Sequence, residues 1–281
     1  YLLPNEVIGW WLTKDDIKVQ RTTVNRDLLE QQIMEYRRKL QNLEPVDTAS
    51  VALYDRLLSP FDKNRQQAQV LGIIPHGILH YLAFSTLKQG ESTLIDQLPL
   101  FFVPSASVMS YTLSRRQTEK NLKVLALGNP DLNNPDLALP FAEQEVSTIH
   151  WQFPQTTELT GKKAKEAWLK KHIGEFGIIH IASHGEFNPI NPLASALLLS
   201  PDQKEDGFLK AQEIFGLNIT ADLVMLSACQ TGLGKISKGD DVVGLNRSFF
   251  YAGTHSIISS LWKVSDISTA IMTKQFYRAY R

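Results

Sequence analysis

Two textures of hydrophobic patterning meet in this sequence, and the polar run from Arg115 to Asn121 separates them. Before that run the elements are mixed. Val7 to Leu12 is apolar and aromatic, a turn is expected at Lys14-Asp15-Asp16, and Ile17 to Thr23 follows, which together predict a β-hairpin. Asn25 is placed to cap a helix from Arg26 to Leu43, with Leu28, Leu29, Ile33, Tyr36 and Leu40 on one face. Pro45 stops that helix, and a second fits Thr48 to Leu58. Asp62 to Gln69 reads as a loop, and Val70 to Ile74 and Leu98 to Val103 read as short buried strands.

After the polar run, strands and helices alternate. Strands are expected over Lys123–Leu127, Thr157–Thr160, Gly177–Ala182, Ala196–Leu199, Leu223–Ser227 and Ser256–Trp262. Helices are expected over Phe141–Phe153, Ala164–Gly174, Leu209–Gly216, Val242–Ala252 and from Ile267 onward. Such alternation predicts an α/β fold with a mainly parallel sheet and helices on both faces. Ligands of these sheets sit beyond the carboxyl ends of the strands. The change of texture predicts two domains, 1–116 and 122–281.

Bulk properties narrow the function. Lys plus Arg and Asp plus Glu number 29 each, so the chain is formally neutral and shows no generalised nucleic-acid or membrane surface. Apolar residues make up 43%, enough for a sizeable core. With one cysteine there is no internal disulfide and no cysteine-based zinc site, which fits a reducing, cytoplasmic setting. No run approaches the ~18 apolar residues of a membrane span, and the start has no signal-peptide pattern. The chain does not begin with Met and runs out inside an amphipathic helix at Tyr280-Arg281, so it reads as a piece of something longer.

Two strand ends carry reactive residues. Ile178-Ile179-His180-Ile181-Ala182-Ser183 leads into His184-Gly185, and Leu223-Val224-Met225-Leu226-Ser227-Ala228 leads into Cys229. If both strands are central and parallel, His184 and Cys229 lie on the same sheet edge although distant in sequence. A free thiol is mostly protonated at neutral pH, and a neighbouring imidazole can take its proton and later protonate a leaving amine. Gly185 can bring its backbone N–H close to a substrate oxyanion. A lone cysteine after an apolar strand is ordinarily an inert buried residue. It is the pairing with His184 that raises Cys229 above that. His180 is expected to be a packed histidine.

These two blocks resemble the peptidase clan of caspases, gingipains, legumain and separase. More closely, the chain resembles the CHAT family, caspase-like domains often attached to tetratricopeptide repeats. The resemblance runs through Ile74 to Phe84, Val103-Pro104-Ser105-Ala106-Ser107, Leu127-Gly128-Asn129-Pro130, Leu139 to Val146, the two strand-end blocks, Gly244 to Gly253, and Ser259 to Asp266. It implies a caspase-like three-layer α/β/α sandwich with an inactive N-terminal half and a C-terminal protease half. It further implies a cysteine endopeptidase working through an acyl-enzyme. His184 would be the base, oriented by a backbone carbonyl, and Cys229 the nucleophile. The backbone of Gly185 and Cys229 would supply the oxyanion donors. No cofactor or metal is called for. The implied partners are a protein substrate and tetratricopeptide-repeat or regulatory partners, with no direct nucleic-acid or membrane partner. The alternative is a catalytically silent scaffold.

The sequence departs from the family at His76, where the Pro-Asp-Gly turn has Asp, and the family's C-terminal segment is missing after Arg281. A structural turn is expected at His76, with His80 beside it. Trp262-Lys263-Val264-Ser265-Asp266 resembles the Trp-Asp-Val-Thr-Asp stretch of separase, which implies that Asp266 binds a basic substrate residue before the cut. The alternative is that Asp266 simply caps the helix from Ile267, and both can hold if a substrate reaches the cap. Gly232 and Gly234 lack the following Lys-Ser/Thr of a phosphate loop despite Lys235. Gly239-Asp240-Asp241 is expected to be a turn. Trp10 and Trp11 read as core or partner-facing, and Arg37-Arg38-Lys39 as a solvated helix face.

Overall fold

The structure, a computed structural model, describes residues 1–115, 122–186, 188, 190–227, 235–236, 242–262 and 265–281. Backbone contacts divide the chain into two compact units, one built on Tyr1–Met109 and the other on the chain from Ser110 onward.

In the first unit, β1 (Glu6–Leu12) and β2 (Ile17–Thr23) pair antiparallel as the expected hairpin. Thr13 Oγ1 closes the turn by accepting the Asp16 N–H at 3.0 Å. Trp11 stacks on Phe61, whereas Trp10 is largely exposed. Helix α1 (Arg26–Gln41) starts where expected, and Asn25 Oδ1 accepts the Leu28 N–H at 2.9 Å. Leu29, Ile33 and Tyr36 enter the core, but Leu28 is half exposed because it sits one residue off that stripe. The reading of Arg37 as solvated is corrected. It follows Leu29 and Ile33 at i+4 spacing, is buried, and lays its guanidinium 5.2 Å from the centre of the Tyr81 ring. Arg38, on the outer face, forks between Glu35 and Glu44.

Helix α2 (Asp47–Leu57) follows, and Asp62–Arg65 forms a helical turn where a loop is expected. Strands β3 (Leu71–Ile73) and β4 (Leu100–Phe102) pair parallel. They are not buried strands: a two-stranded pair is covered on too few sides, and Phe101 and Phe102 remain exposed. His76 sits in a turn continued by Gly77 at φ +56. Its Nδ1 accepts the Leu2 N–H at 3.2 Å and its ring lies against Tyr1, in keeping with a structural role.

Helix α3 (Ala106–Arg115) carries the division between the units. The second unit then runs through β5 (Val124–Pro130), α4 (Pro140–Gln152), β6 (Thr156–Gly161), α5 (Glu166–His172) and β7 (Ile178–Ala182). It continues with β8 (Gly185–Glu186), β9 (Ala196–Leu198), β10 (Phe208–Lys210), β11 (Leu223–Ser227), α6 (Leu245–Ala252), β12 (Ser256–Ser259) and α7 (Asp266–Tyr280). Five strands form an all-parallel sheet in the order β12-β11-β7-β5-β6.

Three expectations are corrected. Ala196–Leu198 leaves the parallel sheet and forms a small antiparallel one with β8 and β10. The helix expected over Leu209–Gly216 shrinks to Ala211–Ile214 because Phe208–Lys210 is taken up as a strand. The helix expected from Val242 begins at Leu245, since Val242–Val243 is extended.

Both faces of the parallel sheet are covered, as near-continuous apolar strands require. On one face Leu125, Leu127, Ile179, Ile181, Val224 and Leu226 pack with Leu169 of α5 and Phe249 of α6. On the other, Val124, Ala126, Ile178, Leu223 and Met225 meet Val146 and Ile149 of α4 and Tyr277 of α7. Gly128 lets α4 lie close: a Cβ there would come within 2.6 Å of the Ala142 carbonyl oxygen. Among the described residues no helix is long and apolar enough to cross a membrane.

Two polar clusters interrupt this packing. Glu145 of α4 is buried beneath the sheet. Its Oε1 accepts from Ser227 Oγ of β11 at 3.0 Å and its Oε2 accepts from Thr273 Oγ1 of α7 at 2.9 Å. The Nε2 of buried His180 lies 3.1 Å from the same Oε2. Burial and the charge of Glu145 hold the Tyr277 phenol, 3.5 Å from His180 Nδ1, above its ordinary range. His180 is therefore packed as expected, and also bound into a polar network.

The second cluster centres on Lys170 of α5, whose ammonium lies 2.6 Å from Glu166, 2.7 Å from Glu213 and 2.9 Å from Glu205. Burial pulls the lysine down, but the three carboxylates outweigh it and hold the ammonium above the ordinary lysine range. Burial likewise pushes the Glu166 carboxyl up, against the pull of Lys170.

Glu145→Ala removes the acceptor of Ser227 and Thr273 and the partner of His180. Denaturant titration should register a loss on the order of 2–4 kcal/mol, because two buried hydroxyl donors are left without their acceptor. Unchanged stability would mean that water or a new acceptor replaces the carboxylate. Lys170→Met should cost on the order of 3 kcal/mol at pH 7, because three clustered carboxylates lose their counterion. Burial already raises the Glu166 carboxyl, and losing the pull of Lys170 raises it further above its unfolded value, so the folded variant binds a proton there and gains stability as pH falls. The deficit should shrink between pH 7 and pH 5. A deficit that stays constant or grows would contradict this.

Candidate active site

The central pair of the parallel sheet sets the site. Strands β7 and β11 are adjacent, with Leu223 opposite Ile178 and Ser227 opposite Ala182. His184 follows Ala182 by two residues, and Cys229 follows Ser227 by two residues in the sequence. Cys229 itself lies outside the described residues, as do Gly232, Gly234 and Gly239-Asp240-Asp241.

His184 is partly buried at the end of β7. Its Nε2 donates to the Leu137 carbonyl oxygen at 2.9 Å. A carbonyl only accepts, so this bond fixes the proton on Nε2 and leaves the lone pair on Nδ1. Among the described residues no carboxylate forms an ion pair with this ring. The loop that presents Leu137 is fastened in turn. Asn129, at the bulged end of β5 with φ 46, accepts the Leu139 N–H through Oδ1 at 2.7 Å and donates through Nδ2 to Glu143 Oε1 at 2.8 Å. Asn134 Oδ1 accepts the Asp136 N–H at 3.1 Å. A chain of short polar contacts thus runs from the α4 start through the loop to the imidazole.

Gly185 opens β8. The Leu198 N–H donates to the His184 carbonyl at 2.9 Å, and Gly185 stands opposite Leu197. Antiparallel ladders alternate bonded and non-bonded pairs, so the Gly185 N–H faces away from β9 and is not spent on the ladder.

Strand β12 is the other neighbour of β11, as expected for the strand leading to Asp266. Asn246 at the start of α6 donates to Ser259 Oγ at 2.8 Å and ties the end of β12 to that helix. Helix α7 begins at Asp266 itself with Ser265 in the cap position. The expectation that Asp266 caps a helix starting at Ile267 is thereby corrected by one residue. The Asp266 side chain lies outside the described part of the structure, as do Lys263 and Val264.

Glu166, Glu205 and Glu213 are the described residues grouped closely enough to hold a cation, and Lys170 already occupies their centre. Leu137, Asn129 and Glu145 were not singled out by sequence reasoning as parts of the site. Leu137 contributes only its backbone, which leaves no side-chain signature. Asn129 could have been noticed as a polar residue before Pro130 where a strand should end, since Asn tolerates positive φ.

No curated protein matches the chain. The family model of the CHAT domain matches residues 47–281, which takes in part of the first unit and all of the second. With the match extending over most of its length, this chain belongs to the CHAT domain family.

Proposed function

We propose that the chain is a cysteine endopeptidase of the caspase-like CHAT type, with Cys229 as nucleophile and His184 as base. The observation that carries this reading is the parallel pairing of Ala182 with Ser227. It supports the reading because His184 and Cys229 follow one rung of the ladder at equal offsets in the sequence, and ligands of such sheets bind at the carboxyl edge. The carbonyl-held ring supports it further: with Nε2 donating to Leu137, Nδ1 is the nitrogen able to take a proton.

In this mechanism His184 Nδ1 takes the Cys229 thiol proton and the thiolate attacks the substrate carbonyl carbon. The oxyanion is held by the backbone N–H groups of Gly185 and Cys229. The C–N bond then breaks, His184 gives its proton to the departing amine, and a thioester remains. Water, deprotonated by His184, attacks that thioester. The new acid leaves and the thiol is restored. No step uses a cofactor.

The wider reading is a caspase-like three-layer sandwich, with residues 1–116 as an inactive half and 122–281 as the protease half. Helices on both faces of the parallel sheet support it. Asp266, on the helix after β12, is proposed to bind Arg or Lys before the cut. An acidic residue there would be desolvated beside a like charge. Tetratricopeptide-repeat or regulatory partners and a cytoplasmic setting belong to the same proposal.

Peptide-library cleavage tests the chemistry. Cys229→Ala and His184→Ala should each abolish turnover without unfolding the protein, and the double variant should lose no more than either single one. Activity retained in either single variant sinks the dyad. A folded wild type that cleaves nothing and fails to react with thiol-directed peptide probes would leave the silent scaffold. For specificity, wild type should prefer Arg or Lys before the cut and Asp266→Ala should lose that preference. An unchanged preference would place the pocket elsewhere.

A further inference from the structure

The carboxyl edge of the parallel sheet continues past His184, away from the Cys229 strand. There the second unit holds a cavity of about 480 Å³ lined by Asp131, Lys162, Lys165, Ser200, Asp202 and Lys204 among others. Asp131 follows the end of β5, and Lys162 follows the end of β6. Its far wall is the segment that leaves β9. Leu198 donates its N–H to the His184 carbonyl, and two residues later the Ser200 N–H donates to the Ala164 carbonyl at 2.9 Å. The cavity therefore shares a backbone with the candidate base.

Charge distinguishes its contents. Lys162, Lys165 and Lys204 form no ion pair among the described residues, and all three are exposed to solvent. The two acids of the lining are engaged with their own loops. Asp131 Oδ1 accepts the Asn133 N–H at 2.9 Å, and Asp202 Oδ1 accepts the N–H groups of Lys204 at 2.9 Å and Glu205 at 3.3 Å. The backbone N–H bonds, and then the nearby Lys165 and Lys204, hold the Asp202 carboxyl below its ordinary range, so part of the lysine charge is answered within the lining. Three lysines against two aspartates leave the cavity net positive, the sign that favours an anionic ligand. A cavity of this size with a few convergent charges is of the kind that takes a side chain or small ligand.

Position follows from the strand order. Adjacent strands lie about 4.8 Å apart, so the end of β6, two strands from β7, is about 10 Å from it across the sheet. An extended peptide advances about 3.3 Å per residue, so that span corresponds to about three residues. Direction follows from the chemistry. The imidazole protonates the leaving amine, so the amine side of the cut bond lies over His184, and the chain beyond it runs towards β5 and β6.

We propose that this cavity is a subsite for an Asp or Glu side chain about three residues downstream of the cut, making the substrates proteins with an acidic segment on the leaving side. Its placement relative to the cut rests on the proposed His184–Cys229 chemistry.

The test uses the full chain carrying Cys229→Ala and fluorescent peptides with one basic residue before the cut position. Three residues downstream they carry Glu, Gln or Lys. A further peptide moves the Glu to the third position upstream. Fluorescence anisotropy at low and moderate salt reads the affinities. The downstream-Glu peptide should bind about threefold more tightly than the Gln peptide at low salt, with the gap narrowing as salt rises. Lys162→Glu with Lys165→Glu should abolish that preference, while Lys63→Glu, in the first unit, should not. Equal binding of the Glu and Gln peptides, an unchanged preference in the double variant, or equal benefit from upstream Glu would each overturn the subsite.

Wild-type cleavage of the same peptides separates this inference from the one beneath it. Turnover without a downstream Glu preference refutes the subsite and leaves the protease. Glu-dependent binding with no turnover by wild type refutes the protease and leaves an acidic-peptide site.

Discussion

The ladder between β7 and β11 constrains everything else in the second unit. Both strands are apolar on both faces, and each face packs against its own pair of helices. A slip of one residue would exchange the two faces of a strand and carry Ile179 and Ile181 into the layer where His180 meets Glu145. Register is therefore fixed by burial on two sides at once. Once it is fixed, Ala182 and Ser227 end their strands on the same rung. The site depends on a constraint satisfied entirely within the apolar core.

Polar contacts then refine what burial leaves open. Glu145 joins α4, β7, β11 and α7 through partners on each. A carboxylate in that position is costly unless donors surround it, so it holds the four elements in one arrangement. At the edge itself a second chain of bonds runs from Glu143 through Asn129 to the loop bearing Leu137, and from its carbonyl to His184. Burial can bring an imidazole to an edge, but it does not choose which nitrogen keeps the proton. That choice is made by one backbone carbonyl and the asparagine that braces its loop.

The proposed functional readings give the edge an electrical direction. Asp266 belongs to the segment after β12, on one flank of the central pair, and Lys162 and Lys165 follow β6 on the other. An extended chain with a basic residue before the cut and an acidic one after it would be favoured in one orientation and disfavoured in reverse. Such a pattern sets polarity more than affinity, because exposed charges are individually weak.

Much of this was legible in the sequence. The alternation after Asn121, the apolar run ending at Ser227 and the helix starting at Arg26 depend on local periodicity and capping, and residues within one element reveal them. The parallel strands that end at Ala182 and Ser227 could also be read, because each is a short apolar run closed by polar or glycine residues. Tertiary structure alone decided the rest. Ala196–Leu198 has the composition of a core strand, and only its partners turn it into a small antiparallel sheet bracing His184. Arg37 looks solvated in a run of cations and is buried because Tyr81, remote in sequence, receives it. Leu137 enters through a carbonyl that every residue possesses, and the lysine-lined cavity gathers residues from three separate segments. The sequence by itself determined which segments are apolar and how they repeat. Partner choice between distant segments was decided by packing, because backbone groups and long-range neighbours leave no trace in local composition.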